Sequence, residues 1–403
     1  MTIWLLSRRE LTPEQIRAIE LPHDRHQVIF GAPGSGKTQI LLHRAAELKK
    51  RIGSSPDRFL ILVYTNVLKS YIRSALDLLG LPENAVTTFD DWCKTFYEQY
   101  ISRRVPWNTS AGRPDFDAIR RSVSQAISSN FVPLPLYDFI LVDEGQDLDP
   151  LCFDIIRRIA RHVTVCLDQK QQIYEHGSTE AEILSILGLR RKNVSLLDAY
   201  RCSPYVARLA AQFLSDPSER QYYLRQLRTE QIGREPPLLY VAASFQTEKQ
   251  RLIEVMRQRL LANQQIGVLF HLKRQVFGFA QALQSNGIDV EVAPNLDFAS
   301  NKPKITTIHS AKGLTFDSVF LPRLVVASFP RATVERIRNL LFVAVTRARS
   351  WVYLSTTRND MLPILEFLKT LVAEGAIVVQ EGEESYQSEP PLVSTPSSDL
   401  DFL

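Results

Sequence analysis

A glycine-rich segment, Gly31–Thr38, lies between a short apolar run and a helical pattern. The run Gln27–Gly31 has the composition of a buried strand, and Lys37–Arg51 repeats apolar residues at helical spacing. The segment reads GAPGSGKT and matches the pattern GxxxxGK[ST]. Its glycines let successive backbone N–H groups face inward and bind phosphate oxygens at the amino end of the helix. This strand, loop and helix predict an α/β protein that holds a phosphorylated ligand; the alternative is a glycine-rich turn with an incidental lysine.

Strands and helices alternate along most of the chain, which predicts mainly parallel sheets with right-handed crossovers. The predicted strands are Gln27–Gly31, Phe59–Tyr64, Val86–Thr88, Asp138–Val142, Val163–Leu167, Leu238–Ala242, Gly267–Phe270, Asp289–Val292, Ile305–Ile308, Ser318–Leu321 and Trp351–Leu354. The predicted helices are Lys37–Arg51, Val67–Leu79, Asp90–Ile101, Phe116–Ser129, Thr247–Ala262, Arg274–Ser285, Val334–Thr346 and Met361–Val372.

A polar stretch, Ser215–Pro237, separates two such series and indicates a connection between two lobes. We expect a first lobe over residues 1–198, with a small helical insert at about 99–135, and a second lobe over 199–379. The segment 380–403 is acidic and rich in Ser and Pro, so we expect it to be disordered. Its end, with acids beside apolar residues, could instead be a short peptide that docks on a protein partner.

The composition is that of an ordinary globular protein, and its net charge of +4 neither proves nor excludes a nucleic-acid partner. The four cysteines lack metal-ligand spacing and are expected to be buried thiols in a reducing compartment. The start, MTIWLLSRRE, has too short an apolar run for a signal peptide, and no stretch approaches the length of a membrane span. We therefore expect a cytoplasmic protein with no membrane partner.

Two acids, Asp143 and Glu144, end the apolar run Asp138–Val142. Ligands of open parallel sheets bind at the carboxyl ends of the strands, so these acids are expected beside the phosphate loop. There Lys37 would reach the β- and γ-phosphates, while Thr38 and Asp143 would hold Mg²⁺. Glu144 would orient and deprotonate the attacking water. The alternative is a charged helix start, where acids are also favoured.

From residue 11 to about residue 355 the sequence resembles the UvrD/Rep-type superfamily 1 helicases, whose motifs appear here in family order. The segments that carry the resemblance are Leu11–Gln15, Asp143–Asp147, Val165–Tyr174, Ala199–Ser203, Ile305–Leu314 and Leu341–Arg349. The resemblance implies two RecA-like P-loop lobes, each a mainly parallel sheet flanked by helices, with ATP and Mg²⁺ bound between them. It also implies a DNA helicase or a translocase on single-stranded DNA or RNA, with 3′ to 5′ polarity.

The resemblance assigns roles to individual residues. Catalysis would depend on Glu144, Lys37, Arg347, Arg201 and Gln171. The ATP site would comprise Gln15, Gly31, Ala32, Pro33, Gly34, Ser35, Gly36, Lys37, Thr38, Gln39, Arg201, Gly313 and Arg347. Gln15 would read the adenine, and Arg347 would be the arginine finger. Nucleic acid would be contacted by Thr65, Asn66, Thr88, Phe89, Tyr174, Thr307 and His309.

The chain departs from the family both in the size of its insertions and at individual residues. It has little room for the large insertions that both lobes usually carry, and Thr315 stands where the family usually has a glutamate beside the ribose. Two further functions therefore stay open beside the translocase. One is an ATP-responsive subunit that regulates or recruits a partner such as a nuclease, as in anti-phage defence. The other is a scaffold with a degenerate ATPase, which the intact Lys37, Asp143, Glu144 and Arg347 argue against.

Overall fold

The computed structural model describes residues 4–129, 131–168, 177–196, 202–226 and 235–382. Within these ranges the chain forms two large sheets, one of six strands and one of seven, in which every described strand pair is parallel. This confirms the α/β class and the two-lobed architecture. In the described part of the chain, no helix combines the length and the apolar character needed to cross a membrane.

The first lobe is built around a sheet with the strand order β3-β2-β6-β7-β1-β8. Its strands are β1 (Gln27–Gly31), β2 (Phe59–Val63), β3 (Val86–Thr88), β6 (Tyr137–Val142), β7 (Ala160–Leu167) and β8 (Val194–Leu196). Its helices are α1 (Pro13–Ile19), α2 (Lys37–Ile52), α3 (Asn66–Leu76), α4 (Phe89–Tyr100), α5 (Phe116–Ser128), α6 (Pro150–Ile159) and α7 (Glu180–Ile186). An antiparallel hairpin of β4 (Trp107–Asn108) and β5 (Arg113–Pro114) stands between α4 and α5.

The second lobe has the strand order β11-β12-β10-β13-β14-β9-β15. Its strands are β9 (Leu238–Ala242), β10 (Ile266–Phe270), β11 (Glu291–Val292), β12 (Lys304–Thr307), β13 (Phe316–Leu321), β14 (Ala348–Thr357) and β15 (Val378–Glu381). Its helices are α8 (Pro204–Ala211), α9 (Pro217–Gln226), α10 (Phe245–Leu261), α11 (Lys273–Ser285), α12 (Val334–Val345) and α13 (Lys369–Ala373).

Several elements differ from their predicted form. The insert predicted as helical contains the hairpin β4–β5, whose turn uses Gly112 in the left-handed region with a φ of 61°. The predicted helix Met361–Val372 is a 3₁₀ helix over Pro363–Leu368 followed by the short α13. It begins at Pro363, which is tolerated in a first turn because the missing N–H would have no partner there. Strand β15 includes Gln380 and Glu381, which pair with β9 although the sequence placed them in the acidic tail.

The two lobes share one hydrophobic cluster. Buried side chains of α2 and α3 belong to the same cluster as those of β13 and α12. The lobes pack closely at Gly313, where an added Cβ would lie 2.9 Å from Cδ1 of Leu68. Two other clusters are confined to one lobe each, so both lobes also have cores of their own. The shared cluster holds the ends of β1 and β6 opposite the second lobe.

Candidate functional site

The glycine-rich loop has the conformation that its sequence predicts. Gly34 and Gly36 have φ values of 80° and 86°, in the left-handed region that disfavours side chains with a Cβ. An added Cβ at Gly36 would lie 2.5 Å from Nε2 of Gln15, so a side chain here would also displace the amide of Gln15. The hydroxyl of Ser35 is buried and has no hydrogen-bond partner among the described residues. The loop therefore presents an unsatisfied hydroxyl at the start of α2.

Lys37 and Thr38 begin α2 with their side chains directed to the site. The ammonium of Lys37 donates to the carbonyls of Gly31 at 2.7 Å and Ala32 at 3.2 Å, and lies 3.7 Å from the Asp168 carboxylate. The hydroxyl of Thr38 donates to Asp143 Oδ2 at 2.8 Å. Since β1 lies beside β7, and β7 beside β6, the residues that follow these three strands meet at one edge of the sheet.

A short hydrogen-bonded chain follows β6. Glu144 adopts a left-handed backbone with a φ of 53°. Its carboxylate accepts a 2.6 Å hydrogen bond from Gln146 Nε2, and Gln146 Oε1 accepts from the backbone N–H of Asp168 at 3.0 Å. A non-glycine residue in this conformation carries strain, which is often found where a side chain is aimed at a functional site. These two hydrogen bonds fix the Glu144 side chain between the ends of β6 and β7.

The second lobe contributes cations to the same place. Lys312, only 2% exposed, donates to Asp147 Oδ2 at 2.6 Å and lies 3.6 Å from Glu144 Oε2. Arg347 follows α12 and is 5% exposed. Its guanidinium donates to the carbonyl of Val343 at 3.0 Å and has electrostatic contact with Glu144. Groups of opposite charge from the two lobes thus face each other across the cleft.

One cavity of about 200 Å³ lies between these groups. From the first lobe it is lined by Trp4, Leu6, Pro33, Gly34, Gly36, Lys37, Thr38, Gln39, Tyr71 and Glu144. From the remainder of the chain it is lined by Cys202, Tyr223, Gln265, Gly313, Thr315, Phe316, Asp317, Thr346, Arg347, Ala348 and Arg349. The rings of Trp4 and Tyr71 stack at 4.1 Å, which gives the cavity an aromatic wall.

The cleft shifts the pKa values of its acids in different directions. Burial, assisted by the charge of Glu144, raises the pKa of Asp143 to about 6. Burial also raises the pKa of Asp147 to about 7, although the ion pair with Lys312 opposes this. For Glu144, burial acts in the same direction, but the nearby cations outweigh it and lower the pKa below its usual value. Glu144 is therefore ionised at neutral pH, as a general base must be.

These groups fit a nucleoside triphosphate with Mg²⁺. The left-handed glycines and the unsatisfied Ser35 hydroxyl suit phosphate oxygens, and the Thr38 and Asp143 oxygens suit a hard divalent cation. The described residues contain no group of three or more His, Cys, Asp or Glu side chains that could hold a metal by itself. Mg²⁺ commonly uses one or two protein oxygens and completes its shell with substrate phosphates and water.

Comparison with known families gives two matches in chain order. A model of the AAA domain matches residues 15–177, and a model of the UvrD-like helicase C-terminal domain matches residues 295–359. The first match contains the phosphate loop and the carboxylates, and the second contains Lys312 and Arg347. The chain belongs to the UvrD/Rep-type superfamily 1 helicases. Its site is therefore built from residues of both matched regions.

Curated relatives agree with the assignment. A probable DNA helicase of Mycoplasma pneumoniae is 28% identical over 236 residues, which cover 54% of this chain and 43% of the relative. A mitochondrial ATP-dependent DNA helicase of Saccharomyces cerevisiae is 42% identical over 15% of this chain and 8% of its own length. The ATP-dependent DNA helicase srs2 of Schizosaccharomyces pombe is 34% identical over 20% of this chain and 12% of its own length. The chain thus matches less than half the length of each of these relatives.

Among solved structures, the C-terminal domain of a possible DNA helicase from Lactobacillus plantarum WCFS1 is similar to part of this helicase-family chain. The two share 16% sequence identity with a TM-score of 0.36. The similarity covers 45% of this chain and 98% of the other.

Two side chains predicted to belong to the ATP site, Gln15 and Gln39, already have partners. Gln15 caps α1 by accepting from the Thr12 N–H, and its Nε2 donates to the Ser35 carbonyl at 3.0 Å. Gln39 donates to the carbonyl of Trp4 at 2.8 Å and accepts from the N–H of Leu6 at 3.0 Å. In this conformation Gln39 anchors the segment that carries the aromatic wall, and Gln15 supports the phosphate loop. The contact of Gln15 with adenine and the membership of Gln39 in the ATP site stay predictions.

Three of the predicted residues lie outside the described ranges. These are Gln171, Tyr174 and Arg201, which the resemblance assigned to catalysis, to nucleic acid and, for Arg201, also to the ATP site. Their neighbours Asp168 and Cys202 are described, and Cys202 lines the cavity. The roles of the three residues therefore remain predictions.

The residues predicted to contact nucleic acid occupy different environments. Asn66 is exposed, while Thr65 and Thr88 are N-caps that accept from the N–H groups of Leu68 and Asp91. Phe89 is only 2% exposed and packs against Trp92, so it cannot stack on a base in this conformation.

The two predicted contacts of the second lobe follow β12. Thr307 accepts from the Ser310 N–H, which closes the turn after the strand. His309 is half-buried, 5.9 Å from the ring of His271, and burial lowers its pKa to about 4, so it is neutral at pH 7.

Sequence reasoning missed several residues of the site. Asp168 directly follows β7, so the argument that selected Asp143 at the end of β6 would also have found it. Lys312 stands in a recognised segment but received no role, because only its partner Asp147 explains it. Trp4, Tyr71 and Tyr223 carry no local signal, since aromatic residues at such positions more often belong to a core.

Proposed function

We propose that this chain hydrolyses ATP with Mg²⁺ between its two lobes and uses the cycle to move along single-stranded DNA, in the 3′ to 5′ direction. The observation that carries the proposal is the cavity that contains Lys37, Thr38 and Glu144 of one lobe and Arg347 of the other. The curated relatives are named as DNA helicases, which supports DNA as the polymer.

In this mechanism each residue has a definite task. Lys37 exchanges its neutral carbonyl acceptors for the charged oxygens of the β- and γ-phosphates. Thr38 and Asp143 would hold Mg²⁺, which would supply positive charge to neutralise the phosphates. Glu144, fixed by Gln146, accepts the proton of the attacking water. Arg347 adds positive charge from the opposite lobe as the bond to the leaving group breaks.

Movement of the protein along DNA would follow because the groups that bind ATP belong to different lobes. A ligand changes a conformational equilibrium only if it interacts differently with the two states. ATP would contact Lys37 and Arg347 together only when the lobes are close, and hydrolysis would remove that link. The lobes could then alternately approach and separate on a bound strand.

The test measures ATP hydrolysis with and without single-stranded DNA or RNA, followed by strand displacement on a duplex with a single-stranded tail. We expect single-stranded DNA to stimulate hydrolysis. Glu144→Gln should bind ATP and lose turnover, because only the proton acceptor is changed. Lys37→Ala should lose ATP binding, because it removes a phosphate contact.

Three outcomes would contradict the proposal in distinct ways. Equal loss of ATP binding in both variants would refute the assigned roles. Hydrolysis that no polynucleotide changes, or that requires a protein partner, would favour the regulatory subunit over the translocase. Tailed duplexes with opposite polarity would decide the direction, and preference for a 5′ tail would refute the assigned direction.

A further inference from the structure

The hairpin β4–β5 has a surface that the ATP site does not explain. Trp107 is 57% exposed and makes no ring contact with any described residue. Arg103, Arg104 and Arg113 are also exposed, and none forms an ion pair within the described ranges. From Gln99 to Pro114 the sequence contains these three arginines and no acid. The segment thus combines an accessible aromatic ring with uncompensated positive charge.

The position of the hairpin follows from the helices at its base. Its base is closed by a 2.9 Å hydrogen bond from the Asp115 N–H to the Pro106 carbonyl, and Asp115 caps α5. Arg120 of α5 forms ion pairs with Asp90 at 2.6 Å and Asp149 at 3.1 Å. Asp90 lies in the first turn of α4, after β3, and Asp149 caps α6, after β6. The hairpin therefore rises from the carboxyl edge of the first sheet, where α3 and α4 begin.

We propose that the hairpin segment 103–113 is a contact surface for single-stranded nucleic acid, in which Trp107 stacks on a base while Arg103 and Arg104 bind phosphates. The proposal rests on the proposed function, which it deepens by adding a surface that the family motifs do not include. Single strands present both unstacked bases and phosphates, which this surface can bind together.

The spacing of Arg104 and Trp107 allows both side chains to contact the same strand of nucleic acid. Arg104 and Trp107 are three residues apart, so their Cα atoms are at most about 11 Å apart, and a long arginine side chain spans most of that distance. A base stacked on Trp107 and the phosphates that flank it fall within this reach. Arg113 pairs with Asn108 and lies on the face opposite Trp107, so it adds positive charge but is not assigned to the same strand.

The alternative interpretation of this surface is that its arginines contact only solvent, as exposed arginines often do. The structure contains such a cluster for comparison: Arg190 and Arg191 are exposed before β8, at the amino end of the strands, without an aromatic residue among them. The same insert also offers an exposed ring outside the hairpin, Phe131, which is 63% exposed. These residues give matched controls for charge and for ring exposure.

The experiment measures binding of a labelled oligo(dT) by fluorescence anisotropy over a range of KCl concentrations. We expect Trp107→Ala to weaken binding by about tenfold, the effect of losing one stacked base, with little change in the salt dependence. We expect Arg103→Ala/Arg104→Ala to reduce the slope of log K against log salt by about 1.4, since each single-strand phosphate contact contributes about 0.7. Phe131→Ala and Arg190→Ala/Arg191→Ala should bind like the wild type.

A second measurement detects the ring directly. Trp92 and Trp351 are buried and Trp4 is half-buried, so Trp107 dominates the solvent-exposed tryptophan emission. Oligo(dT) should quench the wild type more than it quenches Trp107→Phe, which should retain most of the affinity because it keeps an aromatic face. All variants should keep the wild-type thermal unfolding midpoint, because the altered side chains are exposed.

The outcomes separate this proposal from the proposed function. If the wild type binds DNA and is stimulated by it, but the hairpin variants match their controls, the hairpin assignment is wrong and the translocase stands. If the variants lose affinity for duplex DNA alone, the surface binds a duplex and the single-strand assignment is wrong. If the wild type neither binds nor responds to any polynucleotide, both proposals fail.

Discussion

At the scale of single residues, the cleft is a balance of buried charges. Its four acids interact electrostatically with three cations, and two of those cations come from the second lobe. The acids are Asp143, Glu144, Asp147 and Asp168, and the cations are Lys37, Lys312 and Arg347. A buried charge is costly unless it is paired, so each member of the set depends on the others. Burial raises the pKa values of Asp143 and Asp147, whereas the nearby cations lower the pKa of Glu144.

Asp147 provides a direct test of that balance. Burial raises its pKa to about 7 in the folded chain, against an ordinary value of 3.8. Between about pH 4 and pH 7 the folded state retains a proton that the unfolded state has lost, so this residue makes stability fall as pH rises. Asp147→Asn should remove the effect, and its free energy of unfolding relative to the wild type should increase across that window. The increase should approach about 1.4 kcal/mol for each pH unit within the window.

Urea denaturation at a series of pH values measures this difference. Asp117→Asn is the matched control, because Asp117 is an exposed carboxyl on α5 and its replacement makes the same change of charge. A difference between Asp147→Asn and the wild type that is flat or that decreases with pH would show that Lys312 keeps Asp147 ionised in the folded state.

Residue burial also changes how two sequence predictions are tested. Thr88 was predicted to contact nucleic acid, but its hydroxyl caps α4 by accepting from the Asp91 N–H at 3.1 Å. Replacing it with alanine costs roughly 1 kcal/mol through the cap alone, whereas serine keeps the cap. Phe89, buried beside Trp92, belongs to the core of the lobe in this conformation. Loss of nucleic-acid binding on mutation of either residue would not by itself demonstrate contact.

At the scale of elements, the phosphate loop is the part whose conformation is most tightly determined. Gly36 combines a left-handed φ of 86° with the close approach of Gln15. Gly53, at the end of the same helix, also has a left-handed φ, of 69°, but an added Cβ there would meet nothing within 4 Å. Comparing substitutions at the two glycines therefore distinguishes the cost of backbone strain from the cost of packing.

We expect Gly36→Ala to lose ATP binding and to destabilise the fold by more than the roughly 1–2 kcal/mol that a left-handed residue costs, because Gln15 must also move. Gly53→Ala should cost only that amount and bind ATP normally. Urea denaturation and titration with a fluorescent ATP analogue measure both effects. Equal destabilisation of the two variants would mean that the Gln15 contact is not rigid.

Elements with a strong local pattern were predicted within a few residues. Strand β1 and strand β9 have the predicted bounds, and α2 extends one residue beyond its prediction to Ile52. The helix α6 was missed, although Asp149 and Pro150 form a helix start that the sequence displays. The hairpin β4–β5 was also missed, because two residues per strand show no period that a sequence can reveal.

At the scale of the whole molecule, the site exists only because the lobes are in contact. Arg347 lies near Glu144, and Gly313 packs against Leu68, although these partners are hundreds of residues apart in the chain. An arginine supplied from an opposing surface stabilises charge in the transition state of phosphoryl transfer more than it contributes to ground-state binding. The effect of Arg347 should therefore be seen mainly in turnover.

We expect Arg347→Gln to reduce single-turnover ATP hydrolysis by about 10³-fold or more, with a much smaller change in ATP affinity. Arg358→Gln is a suitable control, because Arg358 is an exposed arginine of the same lobe. Rapid-quench kinetics and analogue titration separate the two quantities. A loss of affinity as large as the loss of turnover would assign Arg347 to ground-state binding.

The sequence by itself determined the features that depend on near neighbours in the chain. The loop Gly31–Thr38, the acids that follow β6, and the alternation of strands and helices each arise from local backbone preference and hydrophobic period. The family resemblance extended this to the order of motifs in both lobes, and the family matches over residues 15–177 and 295–359 confirm the family.

Only the tertiary structure decided which distant groups meet. The ion pair between Lys312 and Asp147 joins residues 165 positions apart, and the pairing of Trp4 with Tyr71 has no sequence pattern. It also decided that Phe89 is buried while Trp107 is exposed, although both are aromatic residues beside polar ones. The physical reason is that burial and ion pairing depend on how surfaces pack, and packing joins segments whose local sequences carry no information about each other.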